Sequence, residues 1–227
     1  ALKTEAEGLD FLVASFGEKA ADAFDRAADL VLATSGRTIV SGMGKSGHIG
    51  RKVAATLSST GTPALFIHPA EASHGDLGAI TSNDVLILLS NSGESAELQT
   101  IIAYAKRFAV PIIAVTSRSE STLGRQASVV LQTPVATEAC PNGLAPTTST
   151  LLQLALCDAL AVALLKARNF QPADFRVYHP GGKLGAMIRT VETLMHTGRD
   201  LPTVPADVTM REAIPEMTSK AMGLLLV

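Results

Sequence analysis

The sequence predicts an α/β protein: a three-layer αβα sandwich around a five-stranded parallel sheet. Three observations predict it. Five short apolar, β-branched runs recur along the first two thirds of the chain, and they are continuous rather than alternating, as in strands buried on both faces. Helix-compatible stretches separate them, so the connections read as crossovers between parallel strands. Apolar residues make up 47% of the chain and charged residues 18%, a balance that fills a sizeable core and excludes a disordered chain.

The elements follow in order. Over residues 3–33, Leu9, Leu12, Val13, Phe16, Ala20, Ala23, Phe24 and Ala27 recur at three- and four-residue steps, which predicts an amphipathic helix broken near Gly17 and stopped at Gly36. Residues 38–40 form the first strand, followed by a glycine-rich turn and a helix over 49–58. Residues 63–67 form the second strand and 84–89 the third, with a helix over 96–108 behind it. The fourth and fifth strands are 111–115 and 128–131. A long helix over 147–167 follows, with Pro146 near its start. The pattern loosens near residue 190, where Pro202 and Pro205 punctuate the tail. A boundary there gives a domain over 1–190 and a remainder, 191–227, too short for an ordinary domain. The chain begins at Ala1 without Met and ends at Val227 inside an apolar run, so both ends read as trimmed.

Bulk properties narrow the function. Net charge is −2, aromatics are 4% and Trp is missing, so neither a phosphate-neutralising field nor base-stacking platforms are available and nucleic acid is not expected as a partner. Cys140 and Cys157 form neither a disulfide framework nor a zinc cluster by spacing and read as reduced thiols of a cytoplasmic protein. The N-terminus, with Glu5, Glu7 and Asp10, does not read as a signal peptide. The longest apolar stretch, 151–165, is interrupted by Gln153 and Asp158 and reads as a buried helix; no membrane partner is expected.

In an open parallel sheet, ligands bind beyond the carboxyl ends of the strands. After the first strand comes Ser41-Gly42-Met43-Gly44-Lys45-Ser46-Gly47-His48. Gly42, Gly44 and Gly47 match a dinucleotide fingerprint, but the acidic residue expected at the tip of the second strand is replaced by His68-Pro69. A P-loop ending in Gly44-Lys45-Ser46 would need its first glycine at Ile39. After the third strand comes Ser90-Asn91-Ser92-Gly93-Glu94-Ser95, which leads into a helix. Its hydroxyls and backbone N–H groups can hold a phosphate without a basic residue. The plainer alternative is that Ser90 and Ser95 cap the helix, which accounts for one hydroxyl rather than three.

At these two loops the sequence resembles the sugar isomerase (SIS) domain. Further segments resemble the D-arabinose 5-phosphate isomerase family: Gly42 through Lys52, Glu71-Ala72-Ser73-His74-Gly75-Asp76-Leu77-Gly78, Glu138-Ala139-Cys140-Pro141 with Gly143-Leu144-Ala145-Pro146-Thr147, and His179-Pro180-Gly181-Gly182. The resemblance covers nearly the whole chain. It implies a SIS fold for 1–190 and the start of a first CBS domain over 191–227, where Val191-Glu192-Thr193-Leu194-Met195-His196-Thr197 resembles a CBS entry. It also implies a cytoplasmic tetramer that interconverts D-ribulose 5-phosphate and D-arabinose 5-phosphate for the Kdo sugar of lipopolysaccharide.

Such a reaction needs a base that carries a proton between C1 and C2 and a group that stabilises the oxyanion. The resemblance implies Lys45, Glu97, Glu138 and His179 as catalytic residues. Glu138, in a loop where burial would make it more basic, is assigned the proton transfer. Glu97 is the alternative base, and otherwise a favourable charge at a helix start. Lys45 would stabilise the oxyanion, or else is a solvated loop lysine. His179 would open the sugar ring or polarise the carbonyl, although a loop histidine taken alone is more often structural. The substrate-binding set is Gly44, Ser46, Gly61, Thr62, His74, Ser90, Asn91, Ser92, Gly93 and Ser95. No cofactor is required. The resemblance also implies zinc as an inhibitor at His68.

Overall fold

The structure, a computed structural model, describes residues 1–179 and 191–227. These group into two compact units, Ala1–Tyr178 and His179–Val227. The expected boundary near residue 190 falls outside the described residues.

The first unit is the α/β sandwich. Its strands are β1 (Thr38–Gly42), β2 (Ala64–Phe66), β3 (Val85–Leu89), β4 (Ile112–Thr116) and β5 (Val129–Gln132), all parallel in the order β2-β1-β3-β4-β5. Its helices are α1 (Leu2–Ala14), α2 (Glu18–Ala33), α3 (Gly44–Ser59), α4 (Pro69–Ala72), α5 (Gln99–Arg107), α6 (Thr122–Gln126), α7 (Thr148–Ala167) and α8 (Pro172–Tyr178). Every residue of β1, β3 and β4 is buried, as continuous apolar runs require. Alternate side chains enter opposite cores. Val85, Ile87 and Leu89 join the apolar faces of α2, α3 and α7, whereas Leu86 and Leu88 join Leu98, Ile101 and Ala105 of the 96–107 segment. Each fully buried Leu or Ile contributes roughly 1.5–3 kcal/mol.

The expected N-terminal helix is two helices, with Gly17 capping the second in extended backbone. α3 begins at Gly44 rather than residue 49, so the glycine-rich turn is largely its first turn. The helix after β3 opens as a 3-10 turn over Ala96–Leu98 before α5. The stretch expected as a buried helix is α7, whose inner face carries Leu152, Leu156, Leu160 and Leu164; by length and composition it is apolar enough to cross a membrane. The short helices α4, α6 and α8 are additions to the elements that the sequence pattern predicts.

In the second unit, helix Met210–Lys220 starts with a capping box between Thr209 and Glu212. Thr203 and Leu226 form an isolated parallel bridge.

Candidate active site

The strand order places the site. From β1 the chain goes to β2 on one side and then crosses to β3 on the other, so the order reverses between β1 and β3. A cleft opens at such a switch point. Gly42 and Leu89, the last residues of the two strands, are register partners. The loops that follow them therefore start side by side.

In the first loop Gly44 has φ of +57°, a left-handed conformation that favours glycine. It turns the chain into α3, whose first turn holds exposed Lys45 and half-buried Ser46. The remaining glycines serve packing. A Cβ on Gly47 would strike the Gly42 carbonyl, and one on Gly50 would press on the Phe66 ring. The fingerprint spacing thus seats α3 closely on β1 and β2, with the Arg51 guanidinium 4.4 Å from the centre of the Phe66 ring.

The second loop is internally braced. Gly93, with φ of +68°, donates from its N–H to the carbonyl and to Oγ of Ser90, each at 3.1 Å. The Ser90 and Ser95 hydroxyls lie 2.8 Å apart. Ser92 Oγ accepts from Glu94 N–H at 3.2 Å. Ser95 stands at the start of the 3-10 turn but makes no side-chain cap, so capping does not account for it. Sequence reasoning missed the supports beneath this loop. Thr116 Oγ1, Ser117 N–H and Ser117 Oγ all donate to the Asn91 carbonyl, at 3.1, 3.1 and 2.8 Å. The Glu94 carboxylate accepts from Thr122 N–H at 2.9 Å, and hydrogen bonding from the Thr122 hydroxyl and N–H holds it below the usual carboxylate range. Thr116 and Ser117 stand at the tip of β4, so the rule of inspecting each strand end would have found them.

A third segment joins these two. Ser41, buried on β1, donates to the Ile67 carbonyl at 2.7 Å and so fixes the exit of β2. His68 follows and caps α4, its Nδ1 accepting from Ala70 N–H at 3.3 Å. No group of three or more His, Cys, Asp or Glu suited to a metal occurs among the described residues. α4 packs on the 96–98 turn that carries Glu97, and Ser73 Oγ donates to Thr100 Oγ1 at 3.3 Å. Exposed His74 and exposed Glu97 thus come from neighbouring segments.

Glu138 lies in the loop between β5 and α7. Its Oε2 accepts from Thr147 N–H at 2.7 Å, Thr147 Oγ1 at 2.9 Å and Ser149 N–H at 3.3 Å. The expected gain in basicity does not occur. Burial pushes the carboxyl up, but the donors at Ser149 and Thr147 outweigh it and hold it below the usual range. In the same loop, backbone N–H groups led by Ala145 and Leu144 lower the Cys140 thiol, whereas burial pushes Cys157 up to about 12.

Two expected ligands of the sugar lie elsewhere in this chain. Gly61 and Thr62 follow the far end of α3, at the edge where Thr38 N–H meets the Pro63 carbonyl. α3, sixteen residues and about 24 Å long at 1.5 Å per residue, carries them away from Gly44 at its start. Gly61 abuts the Phe170 ring, and Thr62 Oγ1 accepts from Arg168 Nε at 3.1 Å. Gly61 lines a cavity of about 620 Å³ with Arg168, Phe170 and Tyr178. His179 follows α8 and belongs to the second unit.

The SIS domain matches residues 31–163. The chain is 50% identical over all 227 residues to arabinose 5-phosphate isomerase KdsD of Yersinia pestis, spanning 68% of that protein. It is also 50% identical over 224 residues, 98% of the chain, to the same enzyme of Pseudomonas aeruginosa, again spanning 68%. The chain belongs to the SIS-domain arabinose 5-phosphate isomerase family. A structure of an Escherichia coli CFT073 protein in complex with arabinose 5-phosphate superposes with a TM-score of 0.74 at 37% identity, covering 79% of this chain and 93% of that one. The SIS match takes in both loops, Glu97 and Glu138, and ends before His179.

Proposed function

We propose that this protein interconverts D-ribulose 5-phosphate and D-arabinose 5-phosphate, supplying Kdo for lipopolysaccharide biosynthesis. The observation that carries the reading is the meeting of the Gly42–Gly47 and Ser90–Ser95 loops at the β1/β3 switch point, in a chain of this family. The phosphate lies between the loops, on Gly44 and Ser46 from one side and Ser90, Asn91, Ser92, Gly93 and Ser95 from the other. The Glu138 carboxylate removes a proton from C1 of the ketose. The C–H electrons form a C1–C2 double bond, and the former carbonyl pair moves to O2, where Lys45 stabilises the oxyanion. Return of the proton to C2, with loss of the O1 proton and protonation of O2, gives the aldose. Glu97 is the alternative base, His74 binds a sugar hydroxyl and His179 opens the ring. Protons and electrons balance within the sugar and these groups, so the reading needs no cofactor. Zinc acts only as an inhibitor, through His68.

The active form is a cytoplasmic homo-oligomer, a tetramer, with neither nucleic acid nor membrane as a partner. Both cysteines are free thiols, in keeping with a reducing compartment. Residues 1–190 are the isomerase domain and 191–227 the start of a CBS domain. Incubation with D-ribulose 5-phosphate, followed by chromatographic resolution of the aldose epimers, tests the reading. Arabinose 5-phosphate is expected; ribose 5-phosphate alone, or no aldose, overturns it.

A further inference from the structure

Four buried side-chain polar atoms lack a hydrogen bond among the described residues: Thr38 Oγ1, Thr148 Oγ1, and Nε2 and Oε1 of Gln153. All but the first lie in the first two turns of α7. Thr148 packs its methyl into the space beside Gly8 of α1 and leaves one hydroxyl unpaired. Gln153 leaves more. It is fully buried, and both ends of its amide are unsatisfied. Buried polar groups are nearly always paired, and an apolar side chain of the same shape would avoid the cost. Departures from that rule concentrate where function requires them.

Its position indicates which function. α3 and α7 run in the same direction, joined at mid-length by the Lys52–Asp158 ion pair and at their ends by the Arg168–Thr62 hydrogen bond. Five residues back from each member of the ion pair, Gln153 lies level with Gly47, in the turn after Lys45 and Ser46. Along α7, Gln153 follows Ser149 by four residues, so the two share a face. Helical side chains lean toward the N-terminus, which carries the Gln153 amide toward Ser149. Ser149 N–H in turn donates to Glu138 Oε2.

We propose that Gln153 is a positioning residue for Glu138, its amide holding one buried water against the Ser149 hydroxyl and so fixing the Glu138–Ser149 end of α7 during turnover. A water there gains donors and acceptors from both side chains, as buried waters require. The inference rests on the isomerase reading, with Glu138 as the base.

Gln153→Leu and Gln153→Met, made in the full chain, test it. Both remove the amide at nearly constant volume, and Met adapts to an irregular site if Leu does not fold. The expected result is a melting temperature equal to or above wild type, kcat with ribulose 5-phosphate lowered about tenfold, and KM within about twofold, the loss of one hydrogen bond in the transition state. Wild-type kcat in the folded variants overturns the proposal. So does a fall in kcat that tracks a fall in melting temperature, because packing rather than the amide is then at stake. Absence of turnover in the wild type, assayed alongside, overturns the isomerase reading instead.

Discussion

The two edges of the parallel sheet carry carboxylates in opposite conditions. At the N-terminal edge Asp84 is buried and both its oxygens are occupied. Oδ1 accepts from Arg37 N–H at 2.6 Å and faces Arg37 Nε at 3.8 Å, while Oδ2 accepts from Thr81 N–H and Oγ1 at 2.7 and 3.0 Å. At the C-terminal edge Glu138 accepts through Oε2 from Thr147 and Ser149, and the side chains of Glu97 and Lys45 have no hydrogen-bond or ion-pair partner among the described residues. The contrast separates a carboxylate that builds the fold from one that remains available to a ligand. Residue type does not distinguish them; the occupancy of the lone pairs does.

Paired substitutions at the two edges produce the largest effects and can break the contrast. Glu138→Gln keeps a carbonyl oxygen for Thr147 and Ser149 but cannot take a proton. Its kcat is expected to fall about 10²–10⁴-fold with little change in melting temperature. Asp84→Asn presents an NH₂ group to donors that need an acceptor, so it should lose about 1–3 kcal/mol of stability while turnover per folded molecule persists. Steady-state kinetics beside thermal unfolding reads both. Near-normal turnover in Glu138→Gln would move the base to Glu97. Lost turnover at unchanged stability in Asp84→Asn would erase the distinction between the edges.

The second-largest effect sharpens the C-terminal edge. Ser92→Ala with Ser95→Ala removes two of the loop hydroxyls but leaves the Asn91 carbonyl tied to Thr116 and Ser117, so the loop should hold its shape. KM is expected to rise about tenfold, with kcat changed far less, because phosphate binding is common to ground and transition states. An unchanged KM would move the phosphate elsewhere.

The parts of this picture legible in the sequence are the local ones. The continuous runs 84–89 and 111–115 announce buried parallel strands, and the hydroxyl density after residue 89 announces an anion loop. The strand order is not legible, because the reversal between β1 and β3 depends on which edge each crossover takes. α4 and α6 are single turns, too short for any periodicity to emerge. The direction of the Glu138 shift escapes the sequence because burial can be guessed from a loop position, whereas its donors, nine and eleven residues further on, meet it only once α7 is docked. Gly61 and Thr62 enter through resemblance alone, and no sequence pattern places them at the far end of α3.

Acid unfolding gives the smallest effect and checks the state of Glu138 directly. Its carboxyl is held below the ordinary glutamate value in the folded chain, so folding favours the ionised form. The resulting contribution to stability is fully present above the unfolded value, about pH 4.3, and disappears as pH falls through the lower folded value. Glu138→Gln cannot titrate. Urea unfolding of both proteins should therefore show a stability difference that is constant from about pH 7 to pH 5 and shifts toward the variant below about pH 4.3. A difference that stays flat through that window would mean that Thr147 and Ser149 do not hold the charged carboxylate. The hydrogen-bonded, ionised state assigned to Glu138 would then be lost.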